Sequence, residues 1–102
     1  MAKLLALYKK PNDAAAFNDY YFSTHVPIAR QISGLRRYEV STGAVATPQG
    51  ESMYHLAAIL NFDSMSALEE ALNSAQGQAA ATDLENFAQA GVELLVFESN
   101  EL

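Results

Sequence analysis

The chain has 102 residues, half of them apolar, with a net charge of −6 and no cysteine. That length sets a single domain spanning residues 1–102, and the apolar content is that of a chain with a core. The missing thiols remove thiolate catalysis, disulfides, iron–sulfur clusters and Cys-based zinc sites together, and fit a reducing cytoplasm. The apolar run after Met1 is too short for a signal-peptide core, and no run approaches the ~20 residues that cross a bilayer. A soluble cytoplasmic protein with no membrane partner is expected.

In chain order, Lys3 to Tyr8 is a short apolar run flanked by charge, a strand buried on both faces. Pro11-Asn12-Asp13 starts a helix with Asn12 or Asp13 as its N-cap. Phe17, Tyr20, Tyr21, Thr24, Ile28 and Ile32 then recur at helical spacing as its buried face, and Gly34 ends it. Within this stretch Pro27 removes a backbone donor and clashes with the preceding turn, so a kink or break is expected beside His25.

Leu35 to Thr47 alternates as a half-buried strand, with Tyr38 and Val40 on one face. Thr47-Pro48-Gln49-Gly50 reverses the chain, and Ser52 to Phe62 reads as a central strand. Its even positions, Tyr54 among them, share one face; His55, Ala57, Ile59 and Asn61 share the other. Ser66 and Glu69 have capping-box spacing for a helix that buries Met65, Leu68 and Leu72. Asn73-Ser74 interrupts it, a Gly77 turn follows, and Thr82 and Glu85 cap a second helical piece through Leu84 and Phe87. Gly91 closes that piece, and Val92 to Glu98 is a last strand.

The order β-α-β-β-α-β is the ferredoxin-like α+β plan, a four-stranded antiparallel sheet with its helices on one face. The last strand is apolar on both sides, and a bare apolar edge aggregates, so the other face needs a cover. A second copy packing sheet face to face provides it. The expected assembly is a homodimer with a closed or nearly closed barrel between the subunits.

All six basic residues lie in residues 1–37 with only Asp13 and Asp19, whereas residues 38–102 carry ten carboxylates and no Lys or Arg, so the parts carry +4 and −10. This division either attracts an anionic ligand or lets the two parts, or two subunits, complement each other. A net acidic chain without a basic stripe is not a nucleic-acid binder. A metal centre needs several convergent ligands, and His25 and His55 lack i, i+4 spacing, so neither a metal nor an organic cofactor is expected.

His25 titrates near neutrality and can take a proton from a hydroxyl or an acidic C–H and return it elsewhere; it is the candidate catalytic residue. Equally, it can satisfy carbonyls freed by Pro27. His55, flanked by small neighbours, faces a ligand or fills a core or interface position. Tyr20, Tyr38 and Tyr54 are candidate donors to a bound oxygen, or else pack their rings and anchor their hydroxyls locally.

The string Tyr21-Phe22-Ser23-Thr24-His25-Val26-Pro27, the Gly34 to Ser41 strand, Tyr54-His55-Leu56-Ala57, and Ser74 to Ala79 with Asp83 and Phe87 together resemble the EthD family of the dimeric α+β barrel superfamily. The family takes its name from a protein linked to ethyl tert-butyl ether degradation, and related barrels include cofactor-independent monooxygenases, muconolactone isomerases, polyketide cyclases and haem-degrading enzymes. The resemblance implies a pocket between sheet and helices for a small, largely apolar or aromatic molecule. It also makes Asp83 a carboxylate that orients His25 or His55; alternatively Asp83 is a first-turn helix residue favoured by the dipole. The roles left open are a cofactor-independent oxidoreductase, monooxygenase or isomerase-type enzyme of catabolism, a non-catalytic binding or accessory protein of an oxygenase pathway, and an assembly protein.

Overall fold

Strand β1 (Ala2–Lys9) buries Ala2, Leu4, Ala6 and Tyr8 and leaves Lys3, Leu5 and Leu7 half-buried in the computed structural model, which describes residues 1–102. Within one chain, therefore, one face of β1 is buried and the other only partly covered. Strands β2 (Arg37–Val40), β5 (Tyr54–Phe62) and β6 (Val92–Glu98) complete an antiparallel sheet in the order β2-β5-β1-β6. This is the ferredoxin-like α+β arrangement, with β1 and β5 central. Leu4 lies opposite Leu60 on β5 and Val96 on β6, so Leu4, Leu60 and Val96 share one face.

Strand β2 is shorter than the predicted Leu35–Thr47 segment. The side chain of Ser41 takes the backbone N–H of Ala57 at 3.0 Å, and Gly43 turns the chain at φ +72°. Past this point β3 (Ala46–Thr47) and β4 (Gly50–Glu51) form a separate small hairpin around the expected turn. β5 begins at Tyr54, two residues later than predicted, because the Ser52 hydroxyl holds the Tyr54 N–H in a local turn.

Asp13 caps α1 (Ala14–Tyr20), its Oδ1 accepting from the Ala16 amide at 3.0 Å. The helix does not break at Pro27. One π-helical turn (Tyr21–His25) joins α1 to α2 (Val26–Ala29), with the Val26 amide donating to the Tyr21 carbonyl and every junction residue in the right-handed helical region. The wider turn places Pro27 at the start of α2, where its missing donor is tolerated. It also sets the buried face as Phe17, Tyr21, His25, Ala29 and Ile32. In a straight α-helix residues spaced by four drift about 40° per step; the π turn takes up the drift and keeps His25 on the core side. The predicted Tyr20, Thr24 and Ile28 are only partly buried.

Helix α3 (Met65–Asn73) is capped by Ser64 rather than Ser66: the Ser64 backbone is extended and its hydroxyl accepts from the Ala67 amide at 3.1 Å. Leu68 and Ala71 are buried, but Leu72, expected inside, is 36% exposed. Ser74 ends α3 and caps α4 (Ala75–Asp83), its hydroxyl accepting from the Gly77 amide. Gly77 is therefore helical, not a turn residue; a Cβ there would lie 2.0 Å from the Ala71 carbonyl oxygen, so only glycine lets α4 start so close to α3. Thr82 sits inside α4, and a 3-10 turn (Leu84–Asn86) follows in place of the expected cap. Asp83 consequently stands at the C-terminal end of α4, where the helix dipole disfavours a carboxylate.

The helices and the inner sheet face enclose an aromatic core. The rings of Tyr8, Phe17, Tyr21 and Phe87 meet at centroid distances of 5.3–5.9 Å, mostly edge to face. The opposite sheet face, with Leu5, Leu7, Ile59, Leu95 and Phe97, has no helix over it.

Candidate functional site

His25 reaches the sheet from the π turn, and Asp83 meets it from the end of α4. His25 Nδ1 lies 2.9 Å from Asp83 Oδ2, and both side chains are only 6% exposed. Asp83 Oδ1 accepts two further hydrogen bonds, from the Tyr20 hydroxyl at 2.6 Å and the Asn86 amide at 3.0 Å. Burial pushes the Asp83 carboxyl up, but the bonds from Tyr20, Asn86 and His25 outweigh it and hold the group below the ordinary carboxylate range. Burial likewise lowers His25 below its usual 6.5, against the opposing pull of Asp83.

At neutral pH the imidazole is thus neutral and the carboxylate ionised. Since the carboxylate only accepts, His25 carries its proton on Nδ1, and Nε2 has a free lone pair. Nε2 makes no hydrogen bond, yet the one unpartnered side-chain polar atom sealed from contact is Asn61 Nδ2. The His25 Nε2 atom is therefore open to the space beside it. Phe87 fixes the ring from one side at a centroid distance of 4.7 Å and Tyr21 from another at 5.4 Å.

His25 also lines a cavity of about 70 Å³ between the helices and the inner sheet face, bordered mainly by apolar groups such as Leu4, Ala29, Ile32, Ala58 and Leu60. Its polar lining comes from His25, Tyr8, Tyr21 and Tyr38. The Tyr21 and Tyr38 hydroxyls lie 2.6 Å apart. Burial raises the pKa of both, and of Tyr8, so all three remain protonated donors at physiological pH. In a bonded pair of phenols one proton joins the two oxygens and the other is left to point elsewhere.

The predicted residues divide into two groups. Tyr38 is in the cavity with His25, while Tyr20 serves it indirectly by donating to Asp83. Tyr54 and His55 are elsewhere, because a bulge sets Tyr54 opposite Lys9 and Leu56 opposite Tyr8, breaking the alternation of β5. His55 points to the helix side instead of sharing a face with Ala57 and Ile59: its ring stands edge-on to Phe17 at 5.0 Å and its Nε2 lies 2.8 Å from Asn18 Oδ1. Tyr54 donates to Glu93 Oε1 at 2.6 Å, and Glu93 lies opposite Leu7, on the sheet face away from the helices.

Sequence reasoning missed Tyr8, Tyr21 and Asn86 as site residues. The spacing of Tyr21 four residues before His25 is the signal for one of them. Tyr8 looks like any strand aromatic. The charge division is partly consumed inside the chain: Arg36 forms a forked pair with Asp63 at 2.8–3.1 Å, and Lys10 approaches Glu51 at 3.6 Å. No group of three His, Cys, Asp or Glu side chains converges as a metal site. No helix is long and apolar enough to cross a membrane.

The sequence model of the EthD domain matches residues 9–91. The chain belongs to the EthD family. It is 37% identical over 95 residues to an uncharacterised 11.0 kDa protein encoded between thcB and thcC in Rhodococcus erythropolis, covering 93% of this chain and 91% of that one. An EthD family protein from Bacillus halodurans superposes with a TM-score of 0.90 at 38% identity, covering 98% of this chain and 99% of that one. SnoaB, a cofactor-independent oxygenase from Streptomyces nogalater, shares the fold at a TM-score of 0.69 and 15% identity, over 99% of this chain and 94% of that one. All the residues of the His25–Asp83 cluster except Tyr8 fall within the EthD match.

Proposed function

We propose that this EthD protein is an acid–base enzyme acting on a small, largely apolar or aromatic molecule without a metal or organic cofactor. The observation that carries the proposal is that His25 lines an apolar cavity with its Nδ1 tied to Asp83 and its Nε2 without a partner. In the first step Nε2 takes a proton from a C–H or O–H beside a carbonyl or aromatic system, and the electron pair stays on the substrate as an enolate or phenolate. A proton from the Tyr21–Tyr38 pair bonds the resulting oxygen. A neutral base in a site that excludes water needs no separated charges before the transfer, which favours proton abstraction.

The anion has two outlets. Return of the proton from His25 to another carbon gives an isomer. Capture by dioxygen gives CH2 + O2 → C=O + H2O, and the fold shared with SnoaB supports that outlet without deciding between them. Two copies joined through their helix-free sheet faces form the working unit, because Leu95 and Phe97 otherwise remain in water.

The test is exchange of the α-protons of 2-octanone in D2O, followed by NMR. The wild-type protein accelerates exchange over buffer, and His25→Ala removes at least about 100-fold of that acceleration. Exchange that is insensitive to His25→Ala overturns the assignment. Saturable binding with no exchange replaces the enzyme with a sequestering module.

A further inference from the structure

The cavity at His25 is too small for the class of molecule it is proposed to handle. An apolar cavity that takes benzene measures about 150 Å³; this one measures about 70 Å³. It accepts a reacting end of a few heavy atoms, and the rest of the molecule has to lie outside. Two of its lining residues show where. Leu72 on α3 is 36% exposed and Leu94 on β6 is 50% exposed, so both stand where this partly open apolar space meets solvent. β6 is an edge strand, and α3 packs on β1 and β5.

Leu94 lies opposite Ala6 and Val96 opposite Leu4, so both project to the helix side of the sheet, and Val96 is 49% exposed. A partner joined through the other sheet face covers Leu95 and Phe97 and leaves Leu94 and Val96 in water. An apolar strip thus leads from the cavity along the inner side of β6, with no element of the fold over it. We infer that the substrate is elongated, with a slim oxygen-bearing end at His25 and an apolar tail that leaves between α3–α4 and β6 and lies on Leu72, Leu94 and Val96.

This rests on the acid–base reading of the cavity, and binding of straight-chain 2-alkanones separates the two. The His25 ring signals report the head, and affinities of 2-pentanone, 2-heptanone and 2-nonanone report the tail. In the wild-type protein all three shift the His25 signals, and affinity rises about two- to fourfold per added methylene, the upper figure being full burial. Leu94→Ser and Leu72→Ser, at positions 50% and 36% exposed, flatten the gain per methylene toward one while 2-pentanone still shifts His25. An unchanged gain in both variants, with His25 still shifted, overturns the tail site alone. Absence of any His25 shift in the wild-type protein overturns the cavity reading and the tail site with it.

Discussion

His25 and Asp83 are 58 residues apart in sequence, and their side chains meet at 2.9 Å in a place where almost no solvent reaches either. Asp83 is at a helix end whose dipole opposes a negative charge, so what stabilises the carboxylate is its own set of donors, Tyr20, Asn86 and His25. In the proposed function the pair is an oriented neutral base with an anionic anchor.

Asp83→Asn should act through His25. Loss of charge-assisted hydrogen bonds lowers stability by about 2 kcal/mol in urea unfolding. Because Asp83 raises the His25 pKa against the effect of burial, its neutralisation moves the acid limb of the exchange–pH profile to lower pH. A purely structural role for Asp83 would lower stability and leave that limb in place.

His25 also predicts a pH dependence of stability. Its folded pKa is below the unfolded 6.5, so below that pH the unfolded chain binds more protons than the folded one. Stability is full above about 6.5 and falls as the pH drops from there through the folded value. His25→Gln should abolish the slope in this window while leaving the fall below pH 3.8 to which Asp83 contributes. Urea midpoints at half-unit pH intervals measure both; identical slopes in the two proteins would reject the assignment.

Gly77→Ala should be costly despite its small size. The new methyl would sit 2.0 Å from the Ala71 carbonyl oxygen, which already accepts from the Ser74 hydroxyl at 2.6 Å and is backbone that cannot turn aside. A loss of about 3 kcal/mol is expected. A midpoint within experimental error of wild type would show that α4 has freedom to move off α3.

The sheet face predicts assembly. Sedimentation should report about twice the 11.1 kDa chain mass. Phe97→Asp and Leu95→Asp, on the helix-free face, should give monomers, whereas Leu94→Asp, on the inner side of the same strand, should stay dimeric. Dissociation by Leu94→Asp with retention by Phe97→Asp would reverse the assignment of faces.

Element order, sheet class and the candidate histidine were legible because each is written in local pattern. Short apolar runs, and alternation in the second strand, marked the strands of the sheet, and Asp13 after Pro11 marked the first helix. His25 stood out as a titrating group beside a proline. Boundaries failed where a side chain competed for a backbone amide, as Ser41, Ser52 and Ser64 do, since that choice is settled by which amide lies within reach. The proline reading failed for a related reason: a helix can widen by one residue instead of breaking.

The amino-acid sequence by itself determined that an antiparallel sheet carries helices on one face and that one histidine lies on the helix crossing it. Only the tertiary structure decided that Asp83 belongs to His25, that Tyr21 and Tyr38 share a hydrogen bond, and that Tyr54 and His55 stand outside the cavity at His25. Periodicity records which face of an element is buried. It does not record the bulge that exchanges the faces of Tyr54 and His55, the π turn that holds His25 inward, or the docking of α4 that brings a carboxylate across 58 residues, because each depends on contacts between segments that are remote in the chain.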